Sequence, residues 1–153
     1  MPICSSYLLY VLYRRKELPM NGRILLVDDN EEFLDSTKDV LDDEGCEVVT
    51  AASGEEGIEL AGAQTFDVIL MDIKMPGMSG VESFIEMKRR NPTVKVIMVT
   101  AYSVEDLMRQ ALDEGVFAIL SKPVDMDRLF RMIEGICSGL RNNTYHKPGG
   151  DLP

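Results

Sequence analysis

Positive charge, cysteine and histidine are all scarce in this chain, and it has no apolar run long enough to cross a bilayer. Sixteen Lys and Arg stand against 26 Asp and Glu, a net charge of −10 over 153 residues. That balance excludes a general nucleic-acid binder, which needs a basic face, and no direct DNA binding is expected. It leaves room for a basic partner or a bound cation. The three cysteines, Cys4, Cys46 and Cys137, lack metal-ligand spacing. Their odd number excludes a complete disulfide framework, so they read as small apolar residues of a reducing compartment. The sole histidine, His146, lies in a Gly- and Pro-rich tail, where catalysis is not expected. The run ICSSYLLYVLY (3–13) is about half a bilayer span. The RRK that follows it puts the positive charge on the wrong side for a signal peptide. A cytoplasmic protein is expected.

Residues 1–20 read as an N-terminal extension. Met20 opens MNGRILLVDD, a natural start before a first strand, which makes residues 1–19 an expected upstream-start artefact. A docking or membrane-surface segment is the alternative. Residues 141–153, RNNTYHKPGGDLP, read as a flexible tail, and their NNT sequon as a chance match. Between them, residues 21–140 form one expected domain. Apolar residues are 45% and charged residues 27%, ordinary for a globular chain able to bury a core.

Within that domain strand and helix patterns alternate five times. The apolar runs are RILLV (23–27), EVVTA (47–51), DVILM (67–71), KVIMV (95–99) and FAIL (117–120). Helical periodicity groups Phe33, Leu34, Thr37, Val40 and Leu41 before Gly45. It groups Val104, Leu107, Met108, Ala111 and Leu112 before Gly115, and finally Leu129, Phe130, Ile133, Ile136, Cys137 and Leu140. Ser53 with Glu56, and Ser79 with Glu82, have capping-box spacing, and Pro92 marks the exit from the third helix. Five such units predict an α/β fold, a doubly wound parallel sheet with helices on both faces.

Sheets of this kind bind ligands at the carboxyl ends of their strands. Here the first strand ends in Asp28 and Asp29 and the third in Asp72; the fourth ends in Thr100, and Lys122 follows the fifth. With strand order 2-1-3-4-5, flavodoxin-like, the three aspartates converge. Like charges about 4 Å apart repel by roughly 4 kcal/mol at an effective dielectric near 20. A hard divalent cation relieves this, and oxygen-only ligands favour Mg²⁺, or Mn²⁺. Magnesium keeps waters and usually a phosphate oxygen, so a phosphoryl ligand is implied, with Lys122 and Thr100 suited to its oxygens.

Four motifs, VDDN (27–30), LMDIKMPGMSG (70–80), VTAYS (99–103) and LSKPV (120–124), lie at the ends of the appropriate strands in order. Over about residues 22–138 the sequence resembles the receiver domains of two-component response regulators. The resemblance implies that Asp72 is the phosphoacceptor for a sensor histidine kinase or a histidine phosphotransfer protein. It implies that Asp29, Asp72 and the main-chain carbonyl of Lys74 hold Mg²⁺, with Asp28 beside them acting through water or orienting it. Lys122 would contact the phosphoryl oxygens, Thr100 would be the switch hydroxyl, and the Lys122–Pro123 bond would be cis.

The pattern departs from the family where Ile119 stands three residues before the lysine, the usual place of a switch aromatic; Phe117 is too displaced to replace it. Lys74 and Tyr102, each two residues past a key group, predict a long-lived phosphoryl group. A stand-alone receiver is expected, passing its signal to a downstream protein through the face of the fourth helix, fifth strand and fifth helix. Glu105, Arg109, Asp113, Asp127 and Arg131 lie there, and a homodimer through the same face is the open alternative. Turnover catalysis is not expected. A phosphate-independent interaction module and a Mg²⁺-dependent phosphatase with an aspartate nucleophile are the competing functions.

Overall fold

A computed structural model describes residues 20–101 and 105–138. Five strands, β1 (Arg23–Val27), β2 (Glu47–Ala51), β3 (Val68–Met71), β4 (Val96–Thr100) and β5 (Ala118–Ser121), alternate with five helices. These are α1 (Glu31–Asp43), α2 (Gly54–Ala63), α3 (Gly80–Arg90), α4 (Glu105–Asp113) and α5 (Met126–Cys137). The sheet is parallel throughout, in the order β2-β1-β3-β4-β5. The last three strands begin one residue later than the apolar runs. Asp67, Lys95 and Phe117 fall outside them, and Thr100 and Ser121 close β4 and β5.

The two-residue period of the strands divides the apolar residues between two cores. Ile24, Leu26, Val68, Leu70, Ile97 and Leu120 pack with Leu34 and Leu41 of α1 and Phe130 and Ile133 of α5. Leu25, Val27, Ile69, Met71 and Met98 pack on the other face with Ile58 of α2, Phe84 of α3 and Ala111 of α4. Every residue of β3 and β4 is buried, as central strands covered on both faces require.

Helix starts follow local side-chain chemistry. Asn30 caps α1 and Asp125 caps α5, each accepting a backbone N–H three residues on. Ser79 and Glu82 form the complete reciprocal box at α3. At α2 the expected box is incomplete: Ser53 caps the N–H of Glu56, but the Glu56 carboxylate reaches past it to the N–H of Ala52. Gly45 at φ 90° and Gly115 at φ 87° turn the chain out of α1 and α4 in the left-handed region that a side chain disfavours.

Two residues grouped with the buried faces lie outside them. Val40 is 37% exposed and Leu112 45%. Each stands at the margin of its helical stripe, Leu112 a full step of about 100° beyond buried Ala111. Leu140, Val104 and Tyr102 lie outside the described residues, as do Cys4, His146, residues 1–19 and the tail. Of the remaining cysteines, Cys46 is buried and Cys137 half-buried; neither is in a disulfide. Burial, with nearby Asp67 and Cys46, pushes the Cys137 thiol up to about 11.

Candidate functional site

Strand order reverses between β1 and β3, and there the chain brings its acids together. Val27 pairs with Met71 across the two strands, so Asp28 and Asp72 leave the sheet side by side. The N–H of Asp28 donates to the Ala51 carbonyl at 3.1 Å, and that of Asp72 to the Val27 carbonyl at 3.0 Å. Carboxylate oxygens of Asp28, Asp29 and Asp72 all lie within 4.8 Å of one another. Asp28 is 1% exposed and Asp72 6%, while Asp29 faces solvent. With Asn30, Lys74, Met75, Pro76, Ala101 and Lys122 they line a cleft of about 510 Å³.

Lys122 enters from the end of β5. Its backbone N–H donates to the carbonyl of Thr100 at 2.9 Å, and the Lys122–Pro123 bond is cis, as expected. Its ammonium lies 2.5 Å from Oδ2 of Asp28 and 3.5 Å from Oδ2 of Asp72. Burial raises the Asp72 pKa above its ordinary value. Lys122 pulls it back, Asp28 raises it further, and the Lys74 N–H and the Lys122 hydrogen bond lower it, leaving a net increase. That N–H reaches Oδ1 of Asp72 at a long 3.4 Å.

Close packing fixes the Asp72 backbone as well. The N–H of Gly80 donates to the Ile73 carbonyl at 2.8 Å, seating the start of α3 against the end of β3. Gly77, at φ 77°, turns the intervening loop.

The donor set fits a divalent cation. Three carboxylates, two of them buried, against one ammonium leave a formal charge of −2 in the cleft, and every carboxylate donor is a hard oxygen.

A family model for the response regulator receiver domain matches residues 24–134. The chain belongs to that family. It is 37% identical over 142 residues to a response regulator receiver protein of Anaeromyxobacter sp., covering 80% of this chain and 60% of that one. The chain spans only 26% of a matching transcriptional regulatory protein of Escherichia coli. The CheY-like receiver domain of Methanospirillum hungatei superposes with a TM-score of 0.74 at 37% identity, covering 78% of this chain and 95% of that one. The response regulator TrrA of Thermotoga maritima, in complex with Mg²⁺ and BeF, superposes with a TM-score of 0.69 at 30% identity, covering 75% and 98%.

Receiver domains are signalling modules of two-component systems. They accept a phosphoryl group on an aspartate from histidine kinases or phosphotransfer proteins and bind Mg²⁺ at an acidic pocket. In this receiver the candidates Asp28, Asp29, Asp72 and Lys122 meet in one cleft, whereas Thr100 is buried at the end of β4 beside Ala101 and is joined to Lys122 through its backbone carbonyl. Ile119 is half-buried in the core beneath α2, α3 and α4, and Phe117 packs into the opposite core. Phe117 therefore does not take the place of the switch aromatic.

Sequence reasoning missed two residues of the site. Asn30 caps α1, and its N–H also donates to Oδ1 of Asp28 at 2.8 Å. Phe33 was assigned to the core, yet the Lys122 ammonium lies 4.0 Å from its ring centroid. An aromatic in the first turn after an acid pair was the available signal. Among the described residues, no helix is long and apolar enough to cross a membrane.

Proposed function

We propose that Asp72 is the phosphoacceptor of this receiver. The reading rests on one juxtaposition: the buried Asp72 carboxylate shares a 4.8 Å cluster with Asp28 and Asp29 and lies 3.5 Å from the Lys122 ammonium. An oxygen of Asp72 attacks the phosphorus of a phosphohistidine on a histidine kinase or phosphotransfer protein. The new O–P bond makes an acyl phosphate as the P–N bond breaks, and the electron pair returns to the histidine nitrogen. Asp29, Asp72 and the main-chain carbonyl of Lys74, with Asp28 beside them, would hold Mg²⁺, or Mn²⁺, which would supply charge neutralisation for the phosphoryl oxygens. Lys122 moves from Asp28 towards those oxygens, and the Thr100 hydroxyl follows them as the switch.

The output is a shift between two forms of the domain, read by a partner protein or passed on as a phosphoryl group. The face of α4, β5 and α5 is the contact surface, where Glu105, Arg109, Asp113 and Arg131 are exposed and Asp127 is half-buried. The same face serves the alternative of a homodimer. The work is done in the cytoplasm, by a domain of residues 21–140, and its only chemistry is gaining and slowly losing the phosphoryl group.

Intact mass after incubation with Mg²⁺ and acetyl phosphate tests the reading. One phosphoryl adduct on wild type, absent in Asp72→Asn, is expected. A wild-type protein that gains no mass under any donor is instead a constitutive interaction module, and turnover of unrelated phosphoesters marks a hydrolase.

A further inference from the structure

The contacts of Lys122 close a circuit that begins and ends at Asp28. Oδ2 of Asp28 accepts from the ammonium at 2.5 Å, and Oδ1 accepts from the N–H of Asn30 at 2.8 Å. The Asn30 side chain accepts from the N–H of Phe33 at 3.1 Å, which fixes Phe33 in the first turn of α1. Its ring then returns to the ammonium, 4.0 Å from the centroid. Asp28 thus holds the ammonium with one oxygen and, through Asn30, the backbone of the ring beneath it with the other. Phe33 is half-buried against the core under α1 and α5, so its ring is not an idle surface aromatic. The Lys122 side chain is only 17% exposed, and a partly desolvated cation is drawn strongly to an aromatic face.

We propose that Phe33 is a positioning residue for phosphoryl acceptance: its ring face is the platform that keeps the Lys122 ammonium over the gap between Asp28 and Asp72. A long, flexible lysine chain would otherwise lose rotamer freedom when it engages a phosphoryl group at Asp72, and the platform meets that cost in advance. The proposal rests on the phosphoacceptor reading. It also predicts a signature in the unphosphorylated protein that is independent of that reading.

The full chain is compared as wild type, Phe33→Leu, Phe33→Tyr, Lys122→Met and the Phe33→Leu/Lys122→Met double variant. In wild type and Phe33→Tyr the Lys122 ε-methylene protons, assigned by their loss in Lys122→Met, carry an upfield ring-current shift. Phe33→Leu abolishes the shift. With acetyl phosphate and saturating Mg²⁺, Phe33→Leu forms the adduct about three- to tenfold more slowly, the range a partly desolvated cation–π contact supports. Phe33→Tyr restores the rate, and Phe33→Leu adds no slowing in the Lys122→Met background. Should Phe33→Leu not fold, Phe33→Met carries the same comparison.

An unshifted Lys122 resonance in wild type overturns the proposal. So does a wild-type rate in Phe33→Leu, or equal slowing with and without Lys122, which would mark a packing role. A ring-current shift that Phe33→Leu abolishes, in a wild-type protein that accepts no phosphoryl group, supports the platform and overturns the phosphoacceptor reading alone.

Discussion

A Cβ built on Gly80 would lie 2.0 Å from the carbonyl oxygen of Asp72. The start of α3 is thus pressed onto the backbone of Asp72 itself, and no side chain fits between them. Gly80→Ala must push the helix off or twist the Asp72 peptide. It is expected to cost about 1–3 kcal/mol, the range for overpacking a filled interior. Urea unfolding checks the loss, and adduct formation in the folded fraction should fall with it. A Gly80→Ala protein with wild-type stability and wild-type adduct would show that this contact constrains nothing.

Asp72 sets a pH dependence in the metal-free protein. Its folded-state pKa is raised, chiefly by burial, so its favourable contribution is complete below the ordinary value of 3.8. That contribution is lost as pH rises through the higher folded value, and at neutral pH the ionised Asp72 weighs against folding. With EDTA present, Asp72→Asn should therefore unfold at a higher temperature than wild type at pH 7. The gap should shrink towards pH 4, and Mg²⁺ at pH 7 should narrow it too, by stabilising wild type more. Thermal unfolding across pH, with and without Mg²⁺, reads all three. A gap that is the same at both pH values would assign the effect to shape rather than charge.

Removing the Lys122 charge leaves Asp28 and Asp72 facing each other with no cation between them. Lys122→Met is expected to cost the metal-free protein about 2–3 kcal/mol, towards the low side for breaking a buried pair because solvent still reaches the cleft. Mg²⁺ should recover part of this by mass action, because it binds the folded state. Denaturant midpoints with EDTA and with Mg²⁺ make the comparison.

Leu112 and Leu129 separate surface from core. Leu112→Ser should change stability by no more than ~0.5 kcal/mol and leave adduct formation intact. Leu129→Ala, at a 1% exposed position, should cost ~2–5 kcal/mol. If the α4 face pairs two copies, Leu112→Ser also lowers the sedimenting mass of the phosphorylated protein.

Much of this was legible in the sequence because its signals are local. β1 and β2 are bounded as RILLV and EVVTA predict, and Ser53 and Ser79 cap the helices they precede. Asp28, Asp72 and Lys122 converge because each directly follows a strand, with Asp29 one residue on, and strand order then sets their neighbours. Side-chain choices between distant elements were not legible. Nothing in the local pattern says that Lys122 bonds Asp28 more closely than Asp72, or that its ammonium settles on a ring 89 residues away, at Phe33. Nor does spacing alone tell Ser79–Glu82, a true box, from Ser53–Glu56, where the carboxylate goes to Ala52 instead. The two caps differ in backbone conformation, Ser53 at φ −150° and Ser79 at φ −68°.

The strand that carries Asp72 supplies Val68 and Leu70 to one core and Ile69 and Met71 to the other. It is a party wall between two rooms packed as tightly as crystals, which transmit displacement rather than absorb it. Any tug on its carboxyl end is therefore felt on both sides of the sheet at once. Helices in different cores, α1 on one side and α3 on the other, thus lean on one and the same strand.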